Sequence, residues 1–354
     1  MLELIRELVE VESPTYSPGV AAVAARMASE LEALGADVRV LDGDHVVAEL
    51  AGEGPPLLVL GHTDTVWPLG TLAGLPFRVD GDRAYGPGIH DMKACLVVLL
   101  EAIRIAGCDR RAVRVFLTAD EEMGSRTARP HLERAADGVA AAFVVEPPTT
   151  VGNLKTARKG LGRFRLTVAG RAAHAGTHRE EGVSAIEELA HQILALHALN
   201  DDSRGISVNV GVVKGGTTEN VVAAEAEAQI DVRIAAHEDL ERLEQALASL
   251  EPRLAGSRLA VGGGWTRPPL ERTPGAAQLF AKAREHGLTL GLDLQEESSG
   301  GGSDGNLVGA LGVPVLDGLG AEGAGAHAPD EHVLVGRLPV RAALLAALLQ
   351  SPGL

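Results

Sequence analysis

The sequence contains few cysteines, fewer basic than acidic residues, and no long apolar run. Two cysteines, Cys95 and Cys108, are too few for a disulfide framework, so the composition gives no sign of an oxidising compartment. Lys and Arg number 32 against 48 Asp and Glu, and the formal charge of −16 repels nucleic-acid phosphates and anionic lipid headgroups. No apolar stretch is long enough to span a bilayer, and the first residues lack the pattern of a secretory signal. These absences argue against nucleic-acid and membrane partners and predict a cytoplasmic protein.

The first part of the chain alternates predicted helices with short buried strands. With 354 residues, 45% of them apolar, the chain is long enough for two or three domains with a full core. Amphipathic or apolar helix patterns alternate with strand patterns that end in Gly or in polar residues; the helices are 2–10, 18–35 and 93–107, and the strands are 57–61, 113–119 and 141–145. This alternation predicts a mostly parallel α/β sheet.

The pattern changes over residues 158–265, where half-exposed strands and helices follow in the order β-α-β-β-α-β. That order is typical of a split, ferredoxin-like α+β domain. Helices and buried strands then return in the segments 274–286, 289–296, 304–311, 313–317 and 337–350. We therefore expect one α/β domain, formed by residues 1–157 and 266–354, that is interrupted by an inserted domain at 158–265.

Polar side chains follow three of the predicted strands directly. His62 and Asp64 follow the first strand, where the imidazole could bind a metal and the carboxylate could fix its tautomer, or where both simply belong to a turn. Asp120-Glu121-Glu122 follow the second strand, and adjacent carboxylates repel each other unless a cation neutralises them. Glu-Glu pairs recur elsewhere in this chain, so the position after a strand is the informative feature.

Three further residues complete the candidate site. Glu146 follows the third strand, and His327 lies in a Gly-rich loop. Asp91 lies between a Gly-Pro-Gly turn and a helix, where it could be a ligand or only a helix N-cap. Mixed imidazole and carboxylate ligands suit Zn²⁺ or a related divalent ion better than Mg²⁺ or Ca²⁺. Together these residues predict a metal site.

The motifs of this chain resemble a known family in their order along nearly the whole sequence. They are GHTDTV (61–66), AYGPGIHDMK (84–93), TADEEMGS (118–125), VVEPPT (144–149), RAAHAG (171–176), ENVV (219–222), DVR (231–233), GGGSDGN (300–306) and GAGAHAPDEHV (323–333). In this order they resemble the di-zinc metallopeptidases that include aminoacylases and succinyl-diaminopimelate desuccinylase, in particular the bacterial glutamate carboxypeptidases of the carboxypeptidase G type. The resemblance implies that residues 1–157 and 266–354 form the catalytic domain and that the insertion is a dimerisation and lid domain.

The resemblance also implies a centre of two Zn²⁺ ions, for which Co²⁺ or Mn²⁺ could substitute. His62 and His327 each bind one zinc and Asp91 bridges the two, while Glu122 completes the first site and Glu146 the second.

Two further residues have implied roles beside this centre. Asp64 orients His62, and Glu121 is the general base that acts on a water held between the metals. The peptide bond after Asp91 is expected to be cis.

Other implied residues lie mainly in the inserted domain. His174 reaches the active site of the partner subunit and stabilises the oxyanion, so a homodimer is part of the mechanism; without the resemblance, His174 is a histidine in a surface turn. Residues that match positions binding the substrate's carboxylates are Lys155, Asn220, Arg233, Arg267, Gly301 and Gly302. Arg233 fits a surface ion pair equally well, and the match at Lys155 requires a shift of one residue.

One departure from the family pattern stands beside the bridging carboxylate, since Ala94-Cys95 replaces two usual glycines. The expected function is release of a C-terminal amino acid, Glu or Asp, from small peptides or N-acyl amino acids. The alternatives are a biosynthetic N-acyl amino-acid deacylase, such as a deacetylase or desuccinylase, and a catalytically silent dimeric binding protein on the same fold.

Overall fold

The computed structural model describes residues 1–351, which divide into two compact units. The main unit comprises Met1–Ala157, Arg272–Ser299 and the chain from Ser303 onward. The inserted unit comprises Arg158–Glu271 with Gly300–Gly302. The predicted boundaries fall after residues 157 and 265, and the units divide after Ala157 and Glu271. The assignment of the two units as catalytic and dimerisation domains stays a prediction.

The first part of the main unit alternates helices and strands. The helices are α1 (Leu2–Val9), α2 (Pro18–Ala33), α3 (Ala94–Ala106) and α4 (Arg129–Ala135). The strands are β1 (Asp37–Val40), β2 (Val46–Leu50), β3 (Glu53–His62), β4 (Arg78–Asp80), β5 (Arg83–Tyr85), β6 (Arg111–Thr118), β7 (Ala141–Val144) and β8 (Leu154–Arg158).

The inserted unit forms an antiparallel sheet with two helices. Its strands are β9 (Gly160–Ala169), β10 (Ser207–Gly215), β11 (Glu225–Ile234) and β12 (Arg258–Arg267), and its helices are α5 (Ala185–His197) and α6 (Asp239–Ala248). The sheet order is β10-β11-β9-β12, with antiparallel pairing throughout. Strand β9 alternates buried Phe164, Leu166 and Val168 with exposed residues, so one face of the sheet packs into a core. This topology confirms the predicted ferredoxin-like pattern.

The chain then returns to the main unit. The remaining elements are α7 (Pro274–Thr289), β13 (Glu296–Ser299), α8 (Asp304–Gly309), β14 (Val315–Leu316), β15 (Gly323–Ala324), β16 (His332–Leu334) and α9 (Leu338–Leu349). The expectation of an element over 289–296 is wrong, because α7 continues to Thr289 and β13 begins only at Glu296. Its apolar residues Leu292 and Leu294 instead join the core from an irregular segment.

The central sheet of the main unit has six strands in the order β1-β2-β6-β3-β7-β14. β3 pairs in parallel with β6 and β7, and β7 with β14, while β1 and β2 add an antiparallel edge. The mostly parallel sheet is thus confirmed. His62 stands opposite Thr118 and Leu60 opposite Val144, so the carboxyl ends of three neighbouring strands meet at one edge. This register gathers the residues that follow these strands.

A second, smaller sheet brings distant loops together, with the order β15-β16-β5-β4. Its β16 pairs with β5, with His332 opposite Tyr85. The loop that contains His327 therefore lies beside the segment that leads to Asp91. Within residues 1–351, no helix has the length and apolar character needed to cross a membrane, and the cytoplasmic location stays a prediction.

Candidate active site

Asp91 lies between two imidazoles. His62 Nε2 is 3.1 Å from Asp91 Oδ1, and His327 Nε2 is 3.2 Å from Asp91 Oδ2. The Asp91–Met92 peptide bond is cis, as the resemblance implied. A carboxylate whose two oxygens face different imidazoles is placed to bridge two cations.

Two glutamates extend this cluster on either side. His62 Nε2 is 3.5 Å from Glu146 Oε1, and His327 Nε2 is 3.4 Å from Glu122 Oε1. Ligand atoms of His62, Asp91 and Glu122 also lie within 4.8 Å of one another. The resemblance implied that Glu122 shares an ion with His62 and Glu146 with His327, but the direct side-chain contacts favour the opposite pairing. Sequence spacing holds no information on this pairing, which depends on how the loops fold.

Local structure explains how each side chain reaches the cluster. His62 is the last residue of β3, and Glu122 lies on the short turn Glu121–Met123 that follows β6. Asp91 lies in the turn Ile89–Lys93, and the N-cap position of α3 is occupied by Lys93, so Asp91 is not the N-cap of that helix. His327 adopts a φ of 63°, in the left-handed region that side chains other than glycine rarely occupy.

Charge is strongly organised within the cluster. Burial by itself would raise the pKa of Asp91, but hydrogen bonds from His327 and His62 outweigh it and hold that pKa below its usual range. Hydrogen bonds to Asp91 and Glu122 raise the pKa of His327 to about 10. Burial raises the pKa of Glu122, and the nearby charge of Asp91 adds to this. The imidazoles and carboxylates of the cluster thus shift one another's pKa strongly.

The donor set fits a divalent metal. In the described part of the chain, Glu122 Oε1 is buried and has no well-formed hydrogen bond, since His327 Nε2 lies 3.4 Å away, although buried carboxylate oxygens nearly always have a partner. Two imidazole nitrogens and three carboxylates form the mixed nitrogen and oxygen ligand set that zinc prefers. His62, Asp91, Glu122, Glu146 and His327 could therefore hold one or two such ions.

Asp64 organises the turn next to the cluster. Asp64 is buried. Its Oδ1 is 3.3 Å from His62 Nδ1, and its backbone oxygen is 2.9 Å from the same nitrogen. Its carboxylate accepts the backbone N–H groups of Glu121 (3.1 Å) and Glu122 (3.2 Å) and the hydroxyl of Thr15 (2.7 Å). One side chain therefore positions both the imidazole of a metal-binding candidate and the backbone of the predicted general base.

Asp120 turns away from the cluster, although it begins the run of three acidic residues. Its carboxylate accepts the backbone N–H and the hydroxyl of Thr127 at 2.8 and 2.9 Å. The three adjacent carboxylates are thus separated, and only the second and third lie on the turn beside the metal-binding candidates.

Cys95 replaces a usual glycine without disturbing the cluster. It is fully buried on α3, and its sulfur accepts the backbone N–H of Ala321 at 3.1 Å. A Cβ at Gly320 would lie 2.5 Å from that sulfur, so the glycine at 320 makes room for the larger residue at 95. Burial raises the pKa of the Cys95 thiol, as expected for a small buried side chain rather than a ligand.

Lys155 lies in the main unit, on strand β8, nine residues after Glu146. Its Nζ donates to the backbone oxygen of Pro147 at 2.7 Å. The ammonium therefore contacts the residue that directly follows the metal-binding candidate Glu146.

His174 and Asn220 lie together in the inserted unit. A backbone bridge joins His174 to Val221, and Ala175 N donates to Asn220 O at 2.9 Å. The exposed imidazole of His174 accepts two backbone N–H groups at Nδ1, from Gly176 at 3.1 Å and Thr177 at 3.2 Å. Since Nδ1 is an acceptor, the neutral ring carries its proton at Nε2 and can donate from there.

The remaining substrate candidates surround the Gly300–Gly302 loop. Arg233 donates to Gly300 O at 3.0 Å and makes a two-pronged ion pair with Asp231. The buried side chain of Arg267 lies against Gly302, where a Cβ would be 2.9 Å from its Cδ. Sequence reasoning missed a third arginine, Arg158, which is buried and donates to the backbone oxygens at 301 and 302, each at 3.1 Å. Only the fold shows it, because no motif marks its position.

An α/β unit that gathers two imidazoles and three carboxylates at its strand ends, interrupted by a ferredoxin-like unit, has the architecture of a metal-dependent hydrolase. Residues 58–351 match Peptidase family M20/M25/M40, and the chain belongs to this family. It is a hydrolase that acts on peptide bonds.

Individual relatives match over nearly the whole chain. Carboxypeptidase G2 of Pseudomonas sp. (strain RS-16) is 32% identical over 100% of this chain and 89% of the relative. Succinyl-diaminopimelate desuccinylase of Xanthomonas oryzae pv. oryzae is 28% identical over 99% of this chain and 98% of the relative. Among solved structures, aminopeptidase PepT of Bacillus cereus superposes with a TM-score of 0.82 at 22% identity, covering 99% of this chain and 97% of that one.

Proposed function

We propose that this protein is a zinc-dependent carboxypeptidase that releases a C-terminal Glu or Asp from small peptides or N-acyl amino acids. The observation that carries the proposal is Asp91, whose two oxygens each face a different imidazole at 3.1 and 3.2 Å. The 32% identity with carboxypeptidase G2 over the full chain supports the carboxypeptidase assignment. Of the two pairings, the contacts favour His62 with Glu146 and His327 with Glu122, each sharing Asp91.

Two divalent ions bound by these residues would activate a water and polarise the scissile carbonyl. Glu121 takes the proton of that water and delivers it to the leaving amine. Its backbone N–H is fixed by Asp64 at 3.1 Å, which places it on the same turn as Glu122. The chain thus supplies a proton carrier beside the cluster.

We propose that the protein is a homodimer through the inserted unit and that His174 acts in the partner's site. Its Nε2–H is free to donate because Nδ1 already accepts two backbone N–H groups. A neutral donor aimed at the carbonyl oxygen stabilises the charge that develops there.

The substrate's carboxylate is assigned to the inserted unit. Arg233 and Arg267 offer planar guanidinium groups that bind a carboxylate with two parallel hydrogen bonds. The backbone at Gly301 and Gly302 approaches closely because no side chain intervenes, and Asn220 adds a further donor. Lys155, which the resemblance also implied as a substrate-binding residue, belongs to the main unit. Arg158 fixes the glycine loop by holding its backbone oxygens at 3.1 Å.

A second candidate is a biosynthetic N-acyl amino-acid deacylase, which would use the same metal cluster. The 28% identity with a succinyl-diaminopimelate desuccinylase, over 98% of that relative, favours this alternative. The two candidates differ in the amino acid released.

A substrate panel separates them. Zinc-loaded protein is assayed for amino-acid release from dipeptides and N-acyl amino acids that differ only in the C-terminal residue: Glu, Asp, Leu, Lys, Arg or diaminopimelate. Preference for Glu or Asp, abolished by a chelator, supports the carboxypeptidase. Preference for diaminopimelate or a basic residue supports the deacylase, and no release from any member contradicts both. A Glu121→Gln variant should be inactive in every case, whereas a Glu133→Gln variant, altered at an exposed acid on α4, should match wild type.

A further inference from the structure

We propose that Glu331 is a positioning residue for the metal cluster, because its one carboxylate holds together the loops that carry three of the metal-binding candidates. This inference rests on the proposed function, since it assigns Glu331 a part in the same site. Glu331 follows His327 by four residues on the loop that precedes β16. Its side chain is 2% exposed although it is a carboxylate.

Both carboxylate oxygens accept two hydrogen bonds each. Oε1 accepts the backbone N–H groups of His90 at 2.8 Å and Asp91 at 3.0 Å. Oε2 accepts the backbone N–H of Gly88 at 2.9 Å and the indole N–H of Trp67 at 2.7 Å. Trp67 follows His62 by five residues, so these bonds connect the loops after His62, before Asp91 and after His327.

The turn before Asp91 depends on this carboxylate. Gly88 has a φ of 70°, and a Cβ there would lie 2.5 Å from Thr65 Cγ2, so the backbone passes close to the loop after His62. The backbone N–H groups of this turn are buried or partly buried and therefore require acceptors. Glu331 satisfies those of Gly88, His90 and Asp91 and thereby sets where the backbone of Asp91 lies.

A buried lysine lies near Glu331. Lys93 donates through Nζ to the backbone oxygen of Val11 at 2.6 Å and interacts electrostatically with Glu331. Burial raises the pKa of Glu331, while the N–H donors around its carboxylate act in the opposite direction and satisfy its oxygens. A glutamine cannot replace it, because its amide NH₂ would face two N–H donors.

None of these four hydrogen bonds reaches a metal-binding side chain, so Glu331 acts through the backbone of Asp91 and not on the substrate. Partners of metal ligands commonly change metal affinity by about 10–100-fold when they are removed. A purely structural carboxylate would instead lower stability and leave metal affinity unchanged.

The test measures zinc affinity by competition with a chromogenic chelator, together with kcat, KM and thermal unfolding, in the full chain. We expect Glu331→Gln to bind zinc about 10–100-fold more weakly than wild type and to lose kcat with less than about a threefold change in KM. The matched control is Glu188→Gln, which alters a buried carboxylate of the inserted unit that also accepts several hydrogen bonds. It should lower the unfolding temperature but keep wild-type zinc affinity.

Trp67→Phe provides a milder variant in case Glu331→Gln does not fold. It removes one of the four donors, so zinc affinity should fall by about threefold to tenfold while the fold persists. The inference is overturned if Glu331→Gln and Trp67→Phe, or whichever of the two folds, bind zinc as tightly as wild type, even if their stability falls. Failure of wild-type protein to bind zinc contradicts the proposed function itself, and the inference then falls with it.

Discussion

Asp64 accepts a hydrogen bond from the backbone N–H of Glu121 at 3.1 Å, so the carboxylate beside His62 also fixes the turn that carries the predicted general base. The resemblance implied only that Asp64 orients His62. The structure adds the hydroxyl of Thr15, which donates to the other oxygen of Asp64 at 2.7 Å. One buried group therefore positions both the predicted metal ligand His62 and the predicted base Glu121.

Replacing Asp64 by Asn should lower kcat by about 10–100-fold, because the amide NH₂ cannot accept the N–H groups of the turn and holds His62 less well. Steady-state kinetics with the preferred substrate measure this effect. Asp42→Asn, at an exposed position of the main unit, is the control and should match wild type. A kcat within twofold of wild type in Asp64→Asn would show that Asp64 positions neither group.

His174→Ala and Glu121→Gln should each be nearly inactive as homodimers, and their co-expressed mixture should regain about a quarter of wild-type activity. If His174 acts in the partner's site, a mixed dimer contains one site with both groups intact. Activity per chain after purification of the mixture measures the rescue.

Co-expression of Glu121→Gln with Asp91→Asn is the control for this mixture. Both changes lie in the main unit, so every site keeps one defect and no activity should return. Absence of rescue in the first mixture, with dimers present, would place His174 outside the partner's site.

Arg233→Lys should raise KM for an acidic C-terminal residue by about tenfold and change kcat less, because an ammonium cannot form the paired hydrogen bonds of a guanidinium. The measurement is KM with the Glu and Leu members of the substrate panel. Arg165→Lys, an exposed arginine on β9, is the control. An unchanged KM would leave Arg233 as a surface ion pair with Asp231, which is the alternative that the sequence left open.

Glu188→Gln should lower the unfolding free energy of the inserted unit by about 1–3 kcal/mol. Its Oε2 accepts the backbone N–H of Leu254 at 2.6 Å and the hydroxyl of Ser257 at 2.9 Å. Its Oε1 accepts the side-chain N–H of Gln192 at 2.6 Å, so an amide NH₂ at either position would face a donor. Hydrogen exchange of the amides in β9 and β11 measures the change. The exposed neighbour Glu187→Gln should stay within about 0.5 kcal/mol of wild type.

The effect of Glu188→Gln should also depend on pH. Burial alone would raise the pKa of Glu188, but hydrogen bonds from Gln192 and the backbone at 253–254 outweigh it and lower that pKa. A lowered pKa gives stability that is fully present above the ordinary glutamate value of 4.5 and is lost as the pH falls through the folded value. A difference between wild type and variant that grows on acidification would contradict this assignment.

The sequence predicted where the site lies because parallel strands end at a common edge. His62, the turn after β6 and Glu146 each follow a strand, and the register of β3 with its neighbours brings them together. The ferredoxin-like topology followed from the strand pattern, whereas the cis bond after Asp91 was implied by the resemblance alone. The positions of the strands depend on local sequence and on general rules of sheet topology.

Other features depend on contacts between distant segments, which no spacing reveals. Glu331 contacts the turn at 88–91 across more than 200 residues, and Arg158 reaches a loop at 301–302. The direct contact of Glu146 with His62, at 3.5 Å, differs from the pairing that the resemblance implied, and sequence spacing holds no information on it. The side chain of Asp120 turns away from Glu121 and Glu122, and its carboxylate accepts the hydroxyl of Thr127.

The number of zinc ions bound per chain is the direct test of the proposed binuclear metal centre. Metal-stripped protein is equilibrated with Zn²⁺, freed of loosely bound metal and measured by elemental analysis, with Glu121→Gln and Asp91→Asn treated in parallel. We expect two ions per chain in wild type and in Glu121→Gln, and fewer in Asp91→Asn because the bridge between His62 and His327 is weakened. One ion or none in wild type, or an undiminished count in Asp91→Asn, would contradict the binuclear centre.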